Sequence, residues 1–296
     1  VSSALLLLPD FLLIMIGALL FRYAPFDEGL WRGLEQLVYF VLFPSLLFLS
    51  TATSDFHGAG TLDVIIVGFG ATLSGIALAW LALFARPKPL SFASGTQTAF
   101  RFNSYIALAV ASRIGGSQGT AFMAILLGLN VPLANVAAVY ALARHGKTRV
   151  LSAMMRNPLI LATLGGLIVN FAGLSLPETV HATLSRLGAA SIALGLMTVG
   201  AGLRLSGSRE SPYLAGWFLA VKLVILPALA LAAARALGLA PLEREIVVCF
   251  AAMPSASSAY ILAVRMGGNG PFVAFLVSLA TLLSALTLPL WLTLAN

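Results

Sequence analysis

The stretch RFNSYIALAVASRIGG, residues 101–116, and its counterpart MPSASSAYILAVRMGG, residues 253–268, decide how the chain is read. Aligned on their ends, Arg113-Ile-Gly-Gly falls on Arg265-Met-Gly-Gly. Each copy has a polar start that weakens a helix, an apolar middle and an Arg-x-Gly-Gly finish. One copy lies in each half of the chain, which suggests an internal duplication built around a site.

The surroundings of these stretches set the class. Of the 296 residues 60% are hydrophobic and 9% charged, and the mean hydropathy is +1.00. A soluble domain of this length needs a polar shell that the chain cannot supply. Apolar runs of the length that crosses a bilayer as a helix recur throughout. The expected class is an all-α integral membrane protein. The net charge of +7 is spread between apolar runs, so it reads as membrane topology, with the lipid bilayer and not nucleic acid as partner. The single Cys249 excludes an intrachain disulfide. The first run, Leu5 to Leu20, has neither a basic leader nor a small-x-small cleavage site, and is expected to stay as a span.

Ten helices are predicted, at 4–22, 34–52, 62–85, 92–112, 119–143, 157–174, 184–204, 213–236, 244–265 and 271–293, separated by turn-rich punctuation such as YAPFDEG, RPKP, GGSQG and GGNGP. With the N-terminus outside, cytoplasmic loops hold Arg22, Arg32, Arg86, Lys88, Arg144, Lys147, Arg149, Arg156, Arg204, Arg209 and Arg265. Outer loops hold Arg113, Arg186, Arg235 and Arg244. Eleven against four favours both termini outside. Five spans per half is an odd number, so the second repeat (146–296) is inverted relative to the first (1–145). Inverted repeats in a polytopic chain point to a secondary transporter with its site where broken helices of the two repeats cross.

Predicted helices 4 and 9 are those breaks. Pro254 removes a backbone donor, and Ser255, Ser257 and Ser258 compete for backbone bonds. Asn103 and Ser104 do the same in helix 4. The half-helix N-termini would offer N–H donors and positive dipole ends to an anion. The alternative is an ordinary kink whose hydroxyls bond back to the helix. Lys222, in WFLAVKLVILPAL, either faces a cavity or snorkels, and Arg101 is either an inner-surface anchor or part of the break. Asp63 opens helix 3 as the best-placed acid for a proton or supporting role. Asn130 and Asn135 flank Pro132 in helix 5, where bonding between helices is the preferred role. Gly195, Gly200 and Gly202 suit close helix packing. His57, His145 and His181 are expected in loops far apart, so neither a metal site, a cofactor nor an enzyme active site is expected.

LVYFVLFPSLLFL in helix 2, FRFNSYIALA, RNPLILATLGGLIVN, MTVGAGLRL, KLVILPAL and AAMPSASSAYILAVRMGG together resemble the auxin efflux carrier family of PIN-like transporters, over essentially the whole chain. The resemblance implies ten helices in two inverted five-helix repeats, with helices 4 and 9 crossing as broken helices. It implies a permease for small organic anions, mono- or dicarboxylates, in a bacterial inner membrane, and would allow a homodimer. It carries the family's site onto Asn103 and onto Pro254 to Ser258, and its acidic helix opening onto Asp63. Plant-type members have a crossover proline about where Val110 and Ala259 stand here, so the break in helix 4 is expected to rest on Asn103 and Ser104, or the crossing to be gentler. The rival readings are a sodium- or proton-coupled symporter of bile-acid-symporter-like architecture, and an anion channel.

Overall fold

A computed structural model describes residues 3–53, 61–143, 158–202, 211–256 and 258–296. Ser257, His57, His145 and the basic residues at 144, 147, 149, 156, 204 and 209 lie outside the described residues. Among the described residues every regular element is a helix. They are α1 (Ser3–Tyr23), α2 (Glu28–Thr53), α3 (Thr61–Ala85), α4 (Pro89–Gly95), α5 (104–114), α6 (Gln118–Ala143), α7 (Pro158–Phe171), α8 (Glu178–Ala201), α9 (Pro212–Ala236), α10 (Pro241–Ala252), α11 (Ser258–Arg265) and α12 (Gly270–Ala295). Six of these, α2, α3, α6, α8, α9 and α12, are long and apolar enough to cross a membrane.

The sequence explains where helices begin and end. Asp27 caps α2, its carboxylate accepting from the Leu30 N–H at 2.8 Å, so α2 starts six residues before the predicted boundary. Its first turns, EGLWRGLEQL, are amphipathic, and a search for apolar runs passes over them. α8 likewise starts at Glu178, behind Pro177. This corrects two expectations, because His181 and Arg186 stand on a helix and not in a loop. Arg86 ends α3 in the left-handed region (φ 51°), and Pro87 bars any continuation. Gly116 (φ 54°) and Gly267 (φ 73°) turn the chain within the two Arg-x-Gly-Gly finishes, in a conformation that costs glycine little.

Predicted helices 4 and 9 are each two helices. α4 closes in a 3-10 turn, Thr96–Ala99, and residues 101–103 are not helical. α10 ends at Ala252, and residues 253–256 are not helical. Met253 has φ −59° and ψ 136°, the polyproline region into which a following proline drives its neighbour. Val110 and Ala259 lie inside α5 and α11, so the breaks fall ahead of both positions.

The helices pack as two sets. α1, α2, α7 and α8 pack on one another, and α3 to α6 pack with α9 to α12. Small residues bring the first set to backbone contact. A Cβ on Gly17 would overlap the Met197 carbonyl, one on Gly200 the Ile14 carbonyl, and one on Gly166 the Phe48 carbonyl. Such close approach is how helices gain dispersion contacts where lipid offers no hydrophobic drive.

Candidate functional site

The two non-helical stretches touch. The Asn103 N–H donates to the Pro254 carbonyl at 2.8 Å, so the backbone donor freed by one break meets an acceptor freed by the other. Gln97 Nε2 donates to the Ala259 carbonyl at 3.1 Å, and Arg101 Nη2 to Ser258 Oγ at 3.0 Å. Phe102 lies against Phe250 with ring centroids 4.6 Å apart. Irregular backbone of this kind survives in a membrane protein where its polar groups are satisfied by protein or by a wet cavity.

Each side chain is placed by its break. Asn103 caps α5, its Oδ1 accepting from the Ile106 N–H at 3.3 Å, which is the usual N-cap bond to the third helical residue. Ser104 opens α5 and Ser258 opens α11, and both line a small cavity of about 20 Å³ together with Arg101, Asn135, Phe43 and Ala256. That volume holds about one water. Two helix N-termini, each with the positive end of its dipole, therefore face one cavity beside a guanidinium. Arg101 is 6% exposed and Asn135 1% exposed. Asn135 Nδ2 and Ser255 Oγ are buried without hydrogen-bond partners among the described residues.

A second, larger cavity of about 540 Å³ opens between the two helix sets, lined by Glu28, Gln36 and Tyr39 of α2 and by Tyr260, Val264 and Arg265 of α11. Its lining residues Glu28, Gly202 and Arg265 stand at the ends of α2, α8 and α11. Tyr39 stands between the cavities: it lines the large one and lies within electrostatic reach of both Arg101 and Arg265. The Arg265 guanidinium sits 4.8 Å from the Phe40 ring centroid and 5.5 Å from that of Tyr39, a cation–π contact that ties α11 to α2.

Lys222 does not snorkel: it is 2% exposed and its Nζ donates to the Ala251 carbonyl at 3.2 Å. It thus caps the C-terminal end of α10 at the break, where a cation meets orphan carbonyls and the negative dipole end. Arg101 is not an inner-surface anchor but is buried at the crossing. Asn130 bonds back to the Leu126 carbonyl of its own helix and stays outside the small cavity, whereas Asn135 lines it. Asp63 is not brought to the crossing. It stands in the first turn of α3, about 18 Å along the axis (1.5 Å per residue) from Gly75, the α3 residue that abuts Phe100. Gln97, Tyr39 and Phe43 belong to the site although nothing in the sequence reading named them. A signal existed for Gln97: Ser91, Ser94, Thr96, Gln97 and Thr98 are five polar residues within eight, all buried.

A bundle of apolar helices, two of them interrupted and meeting at polar residues beside a cavity between helix sets, has the build of a multi-pass membrane transporter. Residues 143–292, half of the chain, match the family described as "Membrane transport protein". The chain belongs to that family, the auxin efflux carrier group that its motifs resemble. It is also similar to an "Uncharacterized transporter" of Methanothermobacter thermautotrophicus, 27% identical over 286 residues that span 94% of each chain.

Proposed function

We propose that the protein is a secondary transporter of small organic anions, mono- or dicarboxylates, that works by alternating access at the crossing of its two interrupted helices. One observation carries this reading: the N-termini of α5 and α11 face one cavity with the buried Arg101 between them. Such an arrangement favours an anion over a cation or a neutral solute. The substrate would be held by Arg101, Ser104 and Ser258 at the crossing that the Asn103–Pro254 backbone bond ties together, with Ser255 and Asn135 close by and Lys222 of α9 capping the end of α10 at the break. Asn130 and Asp63 would support from a distance.

Counting α4 with α5 and α10 with α11 gives ten crossings, five in 1–145 and five in 146–296. The interruption falls in the fourth span of each half, which supports two inverted repeats. The positive-inside bias supports both termini outside a bacterial inner membrane, so that the large cavity opens to the cytoplasm. That cavity lies between the two helix sets, and rocking one set on the other would close it. An ion-coupled symporter would be expected to place acids at the breaks, where this chain has Arg, Asn and Ser.

The test is counterflow in liposomes with a panel of labelled mono- and dicarboxylates. At least one should show saturable exchange. Ser258→Ala, which removes a hydroxyl that would donate to the bound carboxylate, should cut that exchange by about tenfold or more, the size expected for one hydrogen bond to a charged group. Voltage-driven ion leak with no exchange would establish the channel reading instead.

A further inference from the structure

Arg101 is a buried guanidinium whose partners are neutral: Gln97 Oε1 at 3.4 Å and Ser258 Oγ at 3.0 Å. Among the described residues no carboxylate pairs with it, and the ion pair Arg32–Glu28 lies out on the exposed first turns of α2. An arginine cannot discard its charge as a lysine can, and a lone buried ion carries a large desolvation penalty. Asn135 Nδ2 adds a donor without an acceptor to the same cavity. The crossing thus holds positive charge and spare donors and no counter-charge. In the described state Arg101 is buried and reaches only the small cavity, while Tyr39, which lines the large cavity, lies within electrostatic reach of it. Rocking the helix sets past one another passes through a state in which that cavity is closed.

Resting on the transport reading above, we propose that the protein is an obligatory anion exchanger: Arg101 lets the helix sets rock only when a carboxylate neutralises it, so one anion enters for each that leaves. When the site is empty, closing the large cavity removes the nearest solvent and lowers still further the dielectric around a guanidinium that is already buried without a counter-charge, where a charge is stabilised least. When it is loaded, the same movement carries an ion pair, already neutral for a monocarboxylate. The contact between Arg101 and Ser258 is then a resting lock across the crossing, and the arriving carboxylate takes the guanidinium from the hydroxyl.

The experiment uses the purified protein in liposomes with radiolabelled lactate and malonate, at zero potential under a potassium and valinomycin clamp. Uptake into liposomes loaded with the same unlabelled anion should exceed uptake into empty ones by at least about tenfold. Arg101→Gln should bring the ratio towards one while weakening apparent affinity, and Arg101→Lys should keep it high. Equal rates in the wild type would overturn the exchange mechanism and leave the transporter reading standing. An unchanged ratio in Arg101→Gln would overturn the part given to Arg101. No uptake of either anion under either loading would overturn both. Melting of the purified protein gives a readout independent of transport. In anion-free buffer Arg101→Met should melt above the wild type, and malonate should raise the melting temperature of the wild type alone. An Arg101→Met protein that melts lower would show that the guanidinium is already compensated, which also overturns the proposal.

Discussion

Asn103 caps a helix at the proposed site, and charge separates its part in the helix from its part in the site. Its Oδ1 caps α5 through the Ile106 N–H, a bond that aspartate makes as well as asparagine. Asn103→Asp should therefore keep the melting temperature at or above that of the wild type, since the new carboxylate also faces a helix N-terminus, two residues along the chain from Arg101. It should lower carboxylate exchange by about tenfold or more, because the protein would then supply the counter-charge that the substrate brings. Asn103→Ala should instead destabilise by about 0.5–2 kcal/mol through the lost cap. Melting curves beside counterflow rates check both, and an Asn103→Asp protein that exchanges normally would remove this residue from the site. The polar residues of the breaks were legible in the sequence because asparagine, serine and proline stand out in an apolar run. The direction of Arg101 was not, because outside a helix no periodicity says where a side chain points. Asn130 and Asn135 both stand out in the sequence, but their different placements could not be read from it: the packing around α6 sends Asn135 to the cavity and Asn130 back onto its own backbone.

Two of the long helices carry a π turn, Val38–Leu42 in α2 and Val221–Ile225 in α9, and both border the site, through Tyr39 and Lys222. Each ends one residue before an X-Pro step, at Phe43-Pro44 and Leu226-Pro227. A proline inside a helix lacks its N–H and presses on the carbonyl four residues back, and a wide turn makes room for it. For Pro227 that carbonyl belongs to Leu223, and Trp291 Nε1 donates to it at 2.9 Å. The indole of α12 thus satisfies the acceptor that the proline leaves open. Trp291→Phe should cost about 1–3 kcal/mol, the penalty of a buried unsatisfied carbonyl. In a Pro227→Ala background, where a backbone donor returns, the same change should cost about 1 kcal/mol less. A double-mutant cycle on chemical or thermal unfolding measures that coupling, and additive costs would mean that Trp291 acts by packing alone. Elements of this kind escape sequence reading. A π turn shifts the register by one residue, which leaves hydropathy untouched, and the amphipathic openings of α2 and α8 are too polar to register as spans. The breaks at 101–103 and 253–256 were readable because their chemistry, not their hydropathy, marks them.

At the scale of the molecule, the apolar runs carried the helical membrane class, whereas the division into two helix sets could not be read from them. That division depends on which faces carry Gly17, Gly166 and Gly200 against a neighbouring backbone, and several glycines of the chain with the same local sequence character meet nothing at all, Gly33 and Gly216 among them. The division has a consequence that accessibility can measure. Gln36 lines the large cavity from α2, while the single cysteine, Cys249, is buried in α10. With Cys249→Ala as background, Gln36→Cys should react with a membrane-impermeant maleimide from the cytoplasmic face and not from the outside. If the sets rock, a saturating carboxylate that cycles the protein should slow the reaction, and a carrier that spends half its time with the cavity closed should label at about half the rate. A rigid pore with a permanent vestibule should label at one rate whether substrate is present or absent. Labelling from the outer face alone would invert the orientation drawn from the arginines and lysines, yet leave the rocking of the two sets intact.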